Sequence, residues 1–131
     1  TLHPNIAPYG EVFTCADGGR IILALGTDVQ FRALCNTLGL AFLADMAAFA
    51  TNVMRVRNRH ELAQTLASPI ASLDRVELLD RLIQAEVPAG AVNRIDEALS
   101  SSTAKAMVNE SVIDGQPTRR IRGNAFRIEP Y

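Results

Sequence analysis

The chain has 131 residues, 48% of them hydrophobic and 21% charged, with a formal net charge of -1. That length suits one ordinary domain with its own core, and the composition excludes a disordered chain. Balanced charge, no long apolar run and no signal-peptide pattern argue against nucleic acid, membrane or export, so the expectation is a cytoplasmic protein with a small-molecule or protein partner.

His3-Pro4-Asn5-Ile6-Ala7-Pro8 cannot be helical, because each proline restricts itself and the residue before it; an extended arm is expected. Tyr9 to Thr14 and Ile21 to Leu25 are β-prone runs on either side of Asp17-Gly18. That dipeptide is a hairpin signal, since glycine tolerates the positive φ such turns demand. Ile21 to Leu25 is apolar at successive positions, which predicts a strand covered on both faces. Gly26 breaks it, and Thr27-x-x-Gln30 is a capping box for a following helix. Phe31, Leu34, Cys35 and Leu38 recur at three- and four-residue steps, placing them on one buried face, and Gly39 is the expected stop.

Ala41 to Ala50 is expected to form short helical turns. Asn58-x-x-Glu61 reads as the cap of a helix that carries Leu62 and Leu66 and ends before Pro69. Asp74-x-x-Glu77 reads as the cap of another, with Leu78, Leu79, Leu82 and Ile83 on its apolar face. Val87-Pro88-Ala89-Gly90 ends that helix, and Ala91-Val92 is a brief strand. Asp96 to Leu99 starts a short helix that Ser100-Ser101-Ser102 weakens. Met107 to Ile128 alternates apolar and polar residues around Asp114-Gly115, which predicts a second hairpin. The expected fold class is α+β: a small antiparallel sheet with several packed helices.

Spacing alone gives no catalytic motif. There is no Gly-rich phosphate loop, no Gly-x-Ser-x-Gly and no metal-ligand cluster. The two cysteines, Cys15 and Cys35, have no histidine nearby in sequence and are expected to be free thiols, Cys35 acting as a small hydrophobe on its helix. His3 and His60 lack an obvious partner and are expected at the surface. Asp28 has two readings. It is a first-turn acid that complements the helix dipole, or an acid at a strand-to-helix turn where ligand pockets form; from the residues alone the first is weightier. Arg55, Arg57 and Arg59 form one basic cluster, and Arg119, Arg120 and Arg122 another. Either could grip phosphates, but solvated or interface residues are the simpler expectation.

Three segments add a resemblance. His3-Pro4-Asn5-Ile6-Ala7-Pro8-Tyr9, with Ala16-Asp17-Gly18 and Gly26-Thr27-Asp28-x-Gln30-Phe31, resembles the opening of the small domain of family III (CaiB/BaiF-type) CoA-transferases. Phe49-Ala50-Thr51-Asn52 with Arg55-Val56-x-Asn58-Arg59-x-Glu61-Leu62 is similar to a second hallmark of that family. Val87-Pro88-Ala89-Gly90-x-Val92-Asn93 with Ile95-Asp96-Glu97-Ala98 is similar to a third. Leu78 stands where the family often has tryptophan, Glu86 where it often has glycine, and Ser100-Ser101-Ser102 where an Asp-Pro pair is more usual.

The resemblance implies residues 1–95 as the small domain and 96–131 as a return segment toward a large Rossmann-like domain outside the chain. It implies two full-length subunits interlocked as a homodimer. An aspartate of the large domain would attack an acyl-CoA and pass CoA to a small carboxylic acid through an aspartyl-CoA thioester. Acyl-CoA is then a substrate, no cofactor is bound tightly, no metal is implied, and the 131 residues alone would be inactive. By this resemblance Tyr9, Gly26, Thr27, Asp28 and Gln30 would line the substrate pocket. An acid matching Asp28 in the family's racemase branch brings its two readings level. The formyl-CoA branch's glycine-rich loop is absent, which lowers the expectation of oxalate exchange. An α-methylacyl-CoA racemase and a non-catalytic binding module remain alternatives.

Overall fold

A computed structural model describes residues 2–100 and 102–121. These residues form two units that divide after Val92.

The first unit is built on a three-stranded antiparallel sheet of β1 (Tyr9–Thr14), β2 (Arg20–Ala24) and β3 (Ala89–Val92), with β2 central. Gly18, at φ 76°, closes the β1–β2 turn as its Asp-Gly signal predicts. The register slips between Tyr9 and Val12, so β1 carries an extra residue where Gly10 has φ 90°. Such a bulge re-aims the side chain beside it. Here that side chain is Glu11, which is buried.

Coverage of β2 differs from the expectation. Ile21 and Leu23 are fully buried, but Ile22 is only half-buried, and Val12, its cross-strand neighbour, is exposed. The helices pack on the Ile21–Leu23 face. They are α1 (Asp28–Thr37), α2 (Asn52–Arg57), α3 (Arg59–Ala71) and α4 (Arg75–Gln84), with a 3-10 turn over Ala41–Asp45. Phe31, Leu34 and Cys35 of α1, Leu62, Leu66 and Ile70 of α3, and Leu78 and Leu82 of α4 join the two strand residues in one core.

Helix ends follow local chemistry. The Thr27 hydroxyl accepts from the Gln30 N–H while the Gln30 side chain accepts from the Thr27 N–H, the full capping box. Gly39, at φ 72°, ends α1 as Leu40 donates back to Cys35 and Gly39 to Asn36. Asp74 caps α4 through the Val76 N–H, but Glu77 turns to Arg81 instead of completing a box.

Four expectations fail here. Asn58 does not cap α3 with its side chain, which donates to the Ala48 carbonyl. The preceding helix α2, capped by Thr51, was not anticipated. Helix α3 runs through Pro69: the proline forfeits one N–H in the last turn, and fully buried Ile70 anchors that turn. Ile83 is exposed, because one step beyond Leu82 turns the helix by about 100° away from the core.

Helix α4 ends in the same motif as α1, with Val87 donating to Leu82 and Glu86 to Ile83. Its left-handed residue is Glu86, at φ 55°, where a side chain is strained. Glu86→Gly is therefore expected to stabilise the chain by about 0.5–1 kcal/mol in denaturant titration, despite glycine's larger unfolded-state entropy.

The second unit holds α5 (Ile95–Ser100), α6 (Ser102–Met107) and the hairpin β4 (Val108–Ile113) to β5 (Gln116–Ile121). Asp114 and Gly115 both have positive φ, the backbone a two-residue hairpin turn requires. The serine run does not stop helix formation, since α5 ends at Ser100 and α6 begins at Ser102. The expected hairpin reaches on to Ile128, and its part beyond Ile121 lies outside the described residues. No helix among the described residues is long and apolar enough to cross a membrane.

Candidate functional site

Tyr9, Gly26, Thr27, Asp28 and Gln30 converge on one end of the three-stranded sheet. Tyr9 opens β1 opposite Ala24, the last residue of β2, and the other four follow in the turn into α1. Gln30 is committed to the turn, since its side-chain oxygen accepts from the Gly26 N–H at 2.8 Å and the Thr27 N–H at 3.2 Å. A Cβ on Gly26 would meet only that oxygen, at 3.9 Å, so the surrounding fold does not require glycine there. The Tyr9 ring is partly exposed and meets the His3 ring edge-on at 5.3 Å between centroids.

Asp28 occupies the first turn of α1, where its charge complements the helix dipole. It also does something its sequence position does not announce. Its Oδ1 lies 2.6 Å from Nη2 of Arg55, whose side chain is 2% exposed while that of Asp28 is 59% exposed. The same guanidinium donates through Nε to the Ala7 carbonyl at 2.9 Å and through Nη1 to the Phe49 carbonyl at 3.0 Å. Its carbon sits 4.4 Å over the Phe31 ring.

The expectation that Arg55, Arg57 and Arg59 are solvated or interface residues is thus corrected for Arg55 and Arg59. Arg57 and His60 are exposed, as expected, but Arg55 is core. Arg59 donates through Nη2 to the carbonyls of His3 and Ile6. Its Nε lies 3.1 Å from Oε1 of buried Glu11, an ion pair by distance whose angle does not align as a hydrogen bond. Asn52 completes the grip by accepting from the Ala7 N–H and donating to the Asn5 carbonyl.

These contacts also correct the extended arm. It turns back on itself, with the His3 N–H donating to the Tyr9 carbonyl, because α2 and α3 hold it by its backbone. A backbone-directed clamp leaves little trace in sequence. The one available signal was a Thr51 cap three residues before Met54, which places Arg55 on a helix whose inner face meets the arm.

Arg119 pairs with Glu110 at 3.0 Å, and both side chains are exposed, so this residue of the second basic cluster is a solvated one. Arg120 is exposed, and Arg122 lies outside the described residues. No group of three or more histidine, cysteine or acidic side chains suited to a metal occurs among the described residues.

Cys15 and Cys35 are free and buried. Burial pushes the Cys35 thiol up to about 11 and raises that of Cys15 as well. Both should resist a thiol reagent at pH 8 in the folded chain and react together on unfolding. The folded state holds the Cys35 proton more tightly than the unfolded state, so this contribution to stability is complete below the ordinary thiol range. It is lost as pH climbs through about 11.

Comparison with known proteins bears on what this unit belongs to. The sequence model of CoA-transferase family III matches residues 1–129. Succinate–glutarate CoA-transferase of Agrobacterium fabrum is 41% identical over 104 residues, covering 79% of this chain and 26% of that protein. Acetyl-CoA:oxalate CoA-transferase of Acetobacter aceti is 30% identical over 122 residues, covering 89% and 31% respectively. The crystal structure of a CAIB/BAIF family protein from Brucella suis superposes with a TM-score of 0.80 at 36% identity. That match covers 96% of this chain and 32% of the Brucella chain. The chain therefore spans between a quarter and a third of the length of these relatives.

Proposed function

The chain belongs to CoA-transferase family III, and from that premise we propose that the protein it forms part of moves coenzyme A between an acyl-CoA and a carboxylic acid. The observation that carries this reading is the 41% identity over 104 residues to a succinate–glutarate enzyme, which favours dicarboxylates as the exchanging acids. Residues 1–95 serve as the small domain and 96–131 as the return segment, and full-length subunits pair as a homodimer in the cytoplasm.

In this proposal a carboxylate outside these 131 residues is the nucleophile. Its oxygen attacks the thioester carbonyl and expels CoA as a thiolate, leaving a mixed anhydride. The thiolate then attacks the aspartyl carbonyl and releases the donor acid, giving an aspartyl-CoA thioester. The acceptor carboxylate reverses both steps, and the aspartate is regenerated. Asp28 is unsuited to the nucleophile's part, since one of its oxygens is held by a buried guanidinium. It lines the pocket with Tyr9, Gly26, Thr27 and Gln30 instead.

Trapping tests the reading. Full-length protein incubated with succinyl-CoA and then hydroxylamine or borohydride should carry a mass change on one aspartate outside residues 1–131. Modification of Asp28, or of no aspartate, would contradict it. The 131-residue chain by itself is expected to show no turnover with the same substrates, and measurable turnover would refute the placement of the nucleophile.

A further inference from the structure

Arg55 does more than fill the core. Three of its nitrogens each donate to a different partner, the Ala7 carbonyl on the arm, the Phe49 carbonyl ahead of α2, and Asp28 on α1. The Phe31 ring supports the plane from one side. A planar fork fixed at two backbone carbonyls cannot swing to follow a mobile carboxylate. The carboxylate must instead conform to the fork. The buried partner therefore dictates the geometry of the exposed one.

We propose that Arg55 is a positioning residue for Asp28: it fixes the carboxylate with Oδ1 bound and Oδ2 free to accept a hydrogen bond from an N–H or O–H group of the acyl-CoA. This rests on the reading of Asp28 as a pocket residue. Two consequences follow. The acid is presented in one orientation before any ligand arrives, which lowers the ordering cost of binding. Its position is also tied to the arm, because the Ala7 carbonyl and Oδ1 share one guanidinium. Displacing the arm would loosen Asp28 without touching it. Coenzyme A suits the free oxygen, since its pantetheine portion offers amide N–H groups and a hydroxyl.

The test has a spectroscopic arm and a kinetic arm. Proton–nitrogen NMR of the Arg55 side chain should show Nε and Nη resonances kept distinct by blocked rotation. Asp28→Asn should shift the Nη signals and leave Nε nearly in place. Free rotation in the unaltered protein would overturn the proposal. In full-length protein, Asp28→Ala and Arg55→Lys should each raise KM for the acyl-CoA about tenfold or more at similar kcat, the loss of one charge-assisted hydrogen bond. Combining them should add little.

If Asp28→Ala raises KM while Arg55→Lys does not, or if the two effects multiply in the double variant, Arg55 does not act through Asp28. If Asp28→Ala changes neither constant, Asp28 is not a pocket residue and the proposal falls with that reading.

Discussion

Arg55→Met is expected to destabilise the chain by about 3–5 kcal/mol, measured as a lower denaturation midpoint at unchanged slope. Methionine fills much of the space but leaves the Ala7 and Phe49 carbonyls without their donor. Each buried carbonyl so stranded costs roughly 1–3 kcal/mol. Loss of the contact with Phe31 adds a smaller amount. Asp28 contributes little to the total, because its side chain is largely exposed and water can replace the guanidinium. Asp28→Asn should therefore be much milder. If instead Asp28→Asn cost as much as Arg55→Met, the ion pair rather than the carbonyl clamp would be the dominant interaction.

Phe31→Ala should cost a similar amount, about 3–5 kcal/mol, for a different reason. Phe31 is 1% exposed and packs in the shared core with Leu34 and Cys35. Truncation removes most of that buried surface and leaves a cavity that helix α1 cannot close, since its capping box and its Gly39 stop fix both ends. The same ring supports the Arg55 guanidinium, so the two substitutions should be coupled. The double variant should lose less than the sum of the singles, read from denaturant titrations of all four proteins. Strict additivity would mean that ring and guanidinium act independently.

Much of the fold was legible where local chemistry decides it. The Thr27–Gln30 capping box, the Gly39 stop, the two Asp-Gly turns and the apolar face of α1 each follow from a few neighbouring residues, and each stands where expected. Glu86 stands where the resembled family often has glycine, and its positive φ gives the reason. What could not be read was settled by distant partners. The arm turns because Arg59 and Asn52 bind its carbonyls from more than forty residues away. Arg55 reads as solvated or interfacial beside Arg57 and Arg59, and the arm, the Phe49 carbonyl, Phe31 and Asp28 together make its burial possible. Pro69 reads as a helix end, yet the burial of Ile70 carries the helix past it. At the candidate site, Gly26 to Gln30 are contiguous, so their shared turn is legible in the sequence, while their reading as pocket residues rests on the family resemblance. The grip on Asp28 is not legible, because its partner lies 27 positions downstream.

Whether the full-length protein carries CoA between carboxylic acids can be read from one isotope experiment. Succinyl-CoA and carbon-13-labelled glutarate would be incubated with the protein in heavy water, and the masses of all CoA esters followed. Labelled glutaryl-CoA should appear as succinate is released, with no deuterium gained at the carbon next to the thioester. No labelled glutaryl-CoA, together with deuterium entering a branched acyl-CoA offered in a parallel incubation, would contradict CoA transfer and make the protein a racemase.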